Sequence, residues 1–548
     1  MEHATNRTAD LAIAAGAAHT FGADAGPARA VAIGDGEIIA TGTSLEEISG
    51  VLSRDATVVD DPELVLLPGF FDSHNHLLWT SADLPNVDIS AATTVDDIVG
   101  LLRARAAATP PGEWVLAARN WHESTIRERR LPTARELDGA SAEHPILVKR
   151  GGHVATANSM ALRISGIADS REDPPGGTVV RDADGRPSGP LIEFPAMAPI
   201  TAMLPEDDAA TGLEHLARTC AEYNSRGLTA VRDPGITASD WDTYRWLHGE
   251  GRLSVRARPL FMLPAGNGAD ENVELLRSLE VRPGDGDERL RATGVKIFGD
   301  GGVEGGWLRE PYTNQPGYHG HAFYDRDGLE AMVEAAVRAG WRVGTHAVGD
   351  RTVELVLEVY ESVQRRLGPL PPGALTIEHA FMAGAAVRKR AVAAGVRITV
   401  QHPLLYALAG NMLTHWGPER TADVMPVAEW LSDGALVAGG SDSNVTPYDP
   451  LLAIWGFVTR GTKVAGIQGP EHAVDRRTAF SLYTEAGWRL LDEGHVRGRL
   501  EPGYSADLVA FRQDPLTVDL DDLPTLSPAF TLVGGRPVFD PEGVFAVR

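Results

Sequence analysis

The 548-residue chain contains one cysteine, Cys220. A single thiol cannot close an internal disulfide, which fits a reducing, cytoplasmic setting. It also excludes a cysteine-rich zinc site, so any metal must be held by histidines and carboxylates. Long apolar runs are missing too, and none reaches the roughly 18 residues that span a bilayer. The alanine-rich start, residues 1–25, is interrupted by Asp10 and His19 and has Arg7 as its only basic residue. It reads as mature chain rather than a secretory signal. Net positive charge is absent. At −25 the chain repels nucleic acid and anionic membrane surfaces, so neither is an expected partner, and the charge serves solubility. There is no internal repeat, heptad array or low-complexity tract. Gly301 and Gly302 are not followed by Lys-Ser/Thr, so they form no phosphate loop. They let backbone approach a site closely.

What is present is ordinary for a soluble globular enzyme, with 43% hydrophobic and 23% charged residues. The length is too great for one simple core, so two or more units are expected. Residues 28–42 read as a β-hairpin turning at Gly34-Asp35-Gly36. The stretch 506–548 looks similar, with ADLVAF followed by FTLVGGRPVFD and a turn at Gly534-Gly535. Two strand-rich ends suggest one small β-sandwich domain built from residues 1–66 and 496–548.

The middle, residues 67–495, alternates short strands with amphipathic runs such as LEAMVEAAVRAG and TVELVLEVYESVQRRL. Eight strand candidates end in PGFFDSHNH, LTAVRDPG, RARPLFML, ATGVKIFGDGG, WRVGTHAVGD, LTIEHA, VRITVQHP and ALVAGGSDS. Eight strands alternating with helices predict an α/β fold, a (β/α)8 TIM barrel. The first two strands are separated by some 150 residues, too many for a loop. An inserted subdomain, about 80–225, is expected near the barrel mouth.

Strand side chains alternate, so His74 and His76 point one way and Asn75 the other. Two converging imidazoles make half a metal site. Alone, such a pair is weak evidence. Lys296 in GVKIFGDGG, His346 in GTHAVGD, His379 in IEHA and Asp442 in GGSDSN each fall at another strand's C-terminal end. Those ends share one mouth in a barrel, where catalytic residues collect. A lone buried His or Asp is usually a hydrogen-bonded core residue; several at successive strand ends point instead to a metal site.

The set PGFFDSHNH, VKIFGDGG, THAVGD, IEHA and GSDS resembles the amidohydrolase superfamily. More narrowly it resembles the YtcJ-like branch, which includes N-substituted formamide deformylases. ILVKRGGHVATANSMALRISGI and GRLEPGYSADLVAF also resemble that branch, so the similarity covers nearly the whole chain. The resemblance implies that His74 and His76 bind a first metal, and His346 and His379 a second. Lys296 takes the place of a carboxylated lysine that bridges the two ions. The alternative is an ordinary lysine salt-bridged to Asp300 beside one metal. Asp442 would contact the first metal and act as general base. A bound cation lowers the pKa of water to about 7 and polarises the substrate carbonyl, while Asp442 moves the proton to the leaving nitrogen. Zinc suits this ligand set best, with other divalent metals possible.

The implied reaction is hydrolysis of a non-peptide C–N bond in an amide or N-substituted formamide. Ester, lactone or carbamate hydrolysis is permitted by the same centre. Deamination is a further alternative, but superfamily deaminases commonly lack the bridging lysine. A non-catalytic metal-binding or scaffold protein is disfavoured by the full ligand set.

His153 either hydrogen-bonds the substrate or its oxyanion, or pins the insertion. Trp121, His122, Trp307, Tyr312 and Trp416 either line a pocket for an apolar or aromatic portion of a small-molecule substrate, or pack the insertion. His402 falls near the mouth. His319 and His321 repeat the spacing in a Gly-rich loop and are assigned no metal. A homodimer is consistent with this class of enzyme.

Overall fold

A computed structural model describes residues 8–22, 27–205 and 208–545. Residues 1–7 and 23–25 of the alanine-rich start lie outside them. The fold is mixed α/β. Ten short strands build its centre: β1 (Phe70–Asp72), β2 (Leu228–Val231), β3 (Pro234–Ile236), β4 (Arg256–Ala257), β5 (Leu260–Met262), β6 (Gly294–Phe298), β7 (Arg342–Ala347), β8 (Leu375–His379), β9 (Arg397–Val400) and β10 (Val437–Gly439). All their pairings are parallel, in one sheet ordered β4-β2-β1 and another ordered β3-β5-β6-β7-β8-β9-β10. β2 and β3 are one strand interrupted at Arg232-Asp233, and β4 and β5 one strand interrupted at Arg258-Pro259. Proline has no N–H to continue a ladder. Eight strand positions therefore follow one another in chain order. The last meets the first: Ser73 N donates to Gly439 O (3.1 Å) and Asp442 N to His74 O (2.7 Å).

Helices cross between these strands because their sequences are apolar on one face. In Asp350–Leu367 the buried residues Val353, Val356, Leu357, Tyr360 and Val363 recur at helical spacing. Arg326–Arg338 starts where the Asp325 carboxylate accepts from Gly328 N. The strands are buried on both faces, as parallel strands covered by helices require.

The strands at the two ends of the chain share one seven-stranded sheet. Its order is Arg536–Phe539, Pro528–Val533, Leu508–Phe511, Leu52–Pro68, Ala9–Ala18, Ala28–Gly34 and Glu37–Gly42. The hairpin at 28–42 turns through Asp35 (φ +51°) and Gly36 (φ +78°). That geometry suits the twist of a tight hairpin.

Between β1 and β2 the chain builds a five-stranded sheet with its own apolar clusters. It includes Val115–Ala117, Ile146–Arg150, Val154–Ala157, Thr178–Arg181 and Pro187–Ile192. No helix among the described residues is long and apolar enough to cross a membrane.

Candidate metal centre and active-site pocket

β1 stops at Asp72, and His74 and His76 follow it. The alternation of the strand persists past its end. Asn75 turns away, donating from Nδ2 to Asp72 Oδ2 (2.9 Å) and accepting from the Tyr223 hydroxyl (2.9 Å). The two histidines turn together toward Asp442. Its Oδ1 lies 3.3 Å from His74 Nε2 and 3.1 Å from His76 Nε2. Neither contact has hydrogen-bond geometry, and His74 Nε2 is buried without a hydrogen-bond partner. Two nitrogens and a carboxylate oxygen that converge without bonding one another are a donor set for a cation. Their atoms all lie within 4.8 Å of one another. Asp442 itself has φ +62°, in the left-handed region that aspartate tolerates better than most residues. Burial would raise its pKa, but the rings of His74 and His76 hold it well below the usual carboxylate range.

The remaining histidines continue the row. Ring centroids are 5.4 Å apart for His76 and His74, 4.6 Å for His74 and His379, 4.6 Å for His379 and His346, and 5.6 Å for His346 and His153. Burial lowers His76 to about 4 and holds His346 and His379 well below the usual histidine value. These rings are neutral at neutral pH, the form that ligates metal.

Lys296 projects from the middle of β6 and is buried, 1% exposed. It makes no ion pair with a described residue, and Nζ lies 5.1 Å from the Phe298 ring centroid. Burial pushes it down to about 8. Asp300 does not pair with it. The Asp300 carboxylate instead accepts from the backbone N–H of Val348 (3.0 Å), Gly349 (2.8 Å) and Trp307 (2.9 Å), tying together the loops after β6 and β7.

Several participants escaped the sequence reading. Glu378 Oε2 lies 2.7 Å from His74 Nδ1, and its Oε1 accepts from Arg232 Nη2 at 2.7 Å. Only a glycine fits beside this pair: a Cβ at Gly344 would lie 2.2 Å from Glu378 Oε1. Gln401 Oε1 sits 2.7 Å from His379 Nδ1. Such partners fix the tautomer and leave the opposite nitrogen facing the site. Asp233 Oδ1 is 4.0 Å from His76 Nδ1, and Trp79 stacks on the His76 ring at 4.2 Å.

The insertion contributes the far wall. His153 lies between the strands Ile146–Arg150 and Val154–Ala157, and its Nδ1 is 2.7 Å from Glu193 Oε2. Burial alone would lower the His153 pKa, but Glu193 raises it. Glu193 has φ +67° and packs on Gly301, where a Cβ would lie 2.4 Å from Oε1. Arg150 is held between Glu304 (2.6 Å) and Glu123 (2.9 Å).

His74, His76, His153, Lys296, His346, His379 and Asp442 all line one cavity of about 60 Å³. Of the aromatic candidates, His122 lines it, with its Nε2 3.3 Å from Val445 O. Trp121 packs in the insertion's core and donates to Lys149 O (2.8 Å). Trp416 packs edge-on against Phe381, Tyr312 donates to Gly306 O (2.9 Å), and Trp307 is covered by the Arg351 guanidinium. His402 is buried against Phe457, outside the cavity wall. The aromatic walls are Trp79, Phe194, Phe298 and Phe381, completed by aliphatic residues such as Leu404 and Leu408.

The amidohydrolase family profile matches residues 57–539. The chain is 28% identical over 521 residues to N-substituted formamide deformylase of Arthrobacter pascens, covering 93% of this chain and 94% of that protein. It is also 28% identical to YtcJ of Bacillus subtilis (strain 168), covering 93% and 96%. Among solved structures, an uncharacterized metal-dependent hydrolase from Pyrococcus horikoshii OT3 superposes with a TM-score of 0.72 at 23% identity. The match covers 93% of this chain and 99% of that one. The family match spans most of the chain, and the buried His74–His76–Asp442 cluster falls within it: this protein belongs to the amidohydrolase family and is a hydrolase.

Proposed function

We propose that the protein hydrolyses a non-peptide C–N bond in an amide, with an N-substituted formamide as the best-supported substrate class. The observation that carries this reading is Asp442, set 3.1–3.3 Å from two histidine nitrogens on the wall of a cavity of about 60 Å³. That volume admits a group of a few heavy atoms, such as a formyl group. The amine substituent must extend elsewhere.

In this reading the eight successive strand positions form a closed (β/α)8 barrel, supported by the Ser73–Gly439 and His74–Asp442 backbone hydrogen bonds. Residues 67–495 make the barrel with its insertion, and residues 1–66 and 496–548 the accompanying β-domain. Divalent cations, zinc best among them, would be held by His74, His76 and Asp442 and by His346 and His379. Lys296 would be carboxylated between them, and its burial without an ion pair to any described residue supports this. When bound, such cations acidify water and polarise a carbonyl.

The chain's own residues do the rest. Asp442 accepts a proton from the attacking water and delivers it to the leaving nitrogen. Glu378 and Gln401 hold the His74 and His379 rings in one tautomer. His153, whose protonated form Glu193 favours, offers Nε2–H to the substrate oxygen as charge develops there. Phe194, Phe298 and Phe381 keep bulk water out.

The test is a panel of formamides, larger amides and esters offered to metal-replete enzyme, with released amine and acid both measured. Turnover of formamides above the others is expected. Turnover of esters with none of amides overturns the reading. Intact mass at Lys296 tests the carboxylation separately: an unmodified lysine beside one metal ion removes the two-ion arrangement but leaves hydrolysis standing.

A further inference from the structure

Beside the catalytic cavity lies a second, larger chamber of about 460 Å³. That size is typical of a small-molecule site. The two share Trp79, Gly152, Phe194 and Phe298 as walls. The boundary is open at Gly152, where an added Cβ would meet no atom within 4 Å. The chamber is otherwise apolar, with Leu147 and Met197 from the insertion and Met262 from β5.

Two cations enter this apolar space, and they differ. Arg119 is neutralised by Asp83, with Nε 2.9 Å from Oδ2, and lies over the Trp79 ring. Lys149, on the strand Ile146–Arg150, makes no ion pair with a described residue, although it is more than half buried. The chain has only four lysines, so this placement does not follow from abundance. An ammonium without a counter-ion among apolar walls is unfavourable, and a bound anion relieves it. Burial pushes Lys149 down to about 8, as expected for a charge that lacks its partner.

We infer that the substrate's amine substituent is an apolar arm ending in a carboxylate, which passes Gly152 and pairs with Lys149 in the second chamber. This rests on the amide-hydrolase reading above. It identifies the substrate class as amphiphilic, anionic amides, in a protein whose net charge of −25 otherwise disfavours anions.

The probes are N-formyl-4-(aminomethyl)benzoate and its neutral carboxamide, offered to the metal-replete full-length enzyme. We expect kcat/KM for the carboxylate to exceed that for the carboxamide by about tenfold, the size of one charge-assisted contact. The ratio should fall to near one in Lys149→Met and recover in Lys149→Arg. Gly152→Leu should lower both probes relative to N-methylformamide, which has no arm. Equal kcat/KM for the two probes in the wild type overturns the inference. So does a ratio that Lys149→Met leaves intact, because a merely structural lysine would lower both probes together. If no amide is turned over, the amide-hydrolase reading fails, and calorimetric binding of 4-phenylbutyrate against 4-phenylbutanamide decides the anion site by itself. Tighter binding of the carboxylate that is lost in Lys149→Met upholds the site, and equal binding by both proteins overturns it.

Discussion

His74-Asn75-His76 and His319-Gly320-His321 share one spacing and have opposite settings. The first pair follows a strand, is nearly fully buried, and faces the Asp442 carboxylate. The second lies in the loop between β6 and the helix Arg326–Arg338, with Gly320 at φ +67°. There His319 Nδ1 sits 3.2 Å from Leu308 O, and the His321 ring lies edge-on to Phe323. Neither belongs to any cluster of potential metal ligands among the described residues. Histidine spacing thus carries meaning only where the backbone fixes side-chain direction. A strand enforces alternation; a loop turned by glycine does not.

This contrast can be broken or sharpened by substitution. The largest effect is expected from Asp442→Asn, which should lower kcat by about a thousandfold or more while metal content stays measurable. Wild-type turnover would remove the base from the mechanism. His153→Gln should cost about a hundredfold in kcat, the size of one lost oxyanion donor. It should also erase a pH limb. Because Glu193 raises the His153 pKa, the donating, protonated form is complete below that pKa and is lost as pH rises through it. A fall in Tm with kcat intact would instead make His153 a pin for the insertion. Glu378→Gln should weaken metal affinity by about 10–100-fold, read by metal analysis after dialysis against graded chelator. His346→Ala should lower metal content directly, and unchanged content contradicts its assignment. The paired change His319→Ala with His321→Ala should leave metal content alone and alter kcat less than about threefold, because neither ring lines the cavity. Loss of metal there would collapse the distinction between the two pairs.

Much of the central fold was legible because several strands end at or close to a chemically distinctive residue. His74, His76, Lys296, His346, His379 and Asp442 were singled out near strand ends, and all of them line one cavity, although Lys296 sits in the middle of its strand. Glu378 was missed for a physical reason. Strict alternation places it on the face opposite His379. His379 (φ +71°) and Ala380 (φ +44°) break that alternation, so adjacent residues both reach the site. The hairpin at 28–42 was legible from its glycine-flanked turn. The pairing order of the insertion was not, because it depends on contacts between distant strands. For the same reason Glu193, which orients His153 from 40 residues away, left no local signal. The aromatic candidates show the limits of composition. Trp121 and Trp416 became packing, while Phe194, Phe298 and Phe381 line the pocket.

The link between Ser73 and Gly439 spans 366 residues. A ribosome adding about 5–20 residues per second needs roughly 20–70 s to make that stretch. Throughout that time the first two histidines exist without the carboxylate they face in the finished molecule. The site therefore has no early, partly active form during synthesis. A chain truncated just before Asp442 should carry most of the fold's helices and none of its hydrolytic competence.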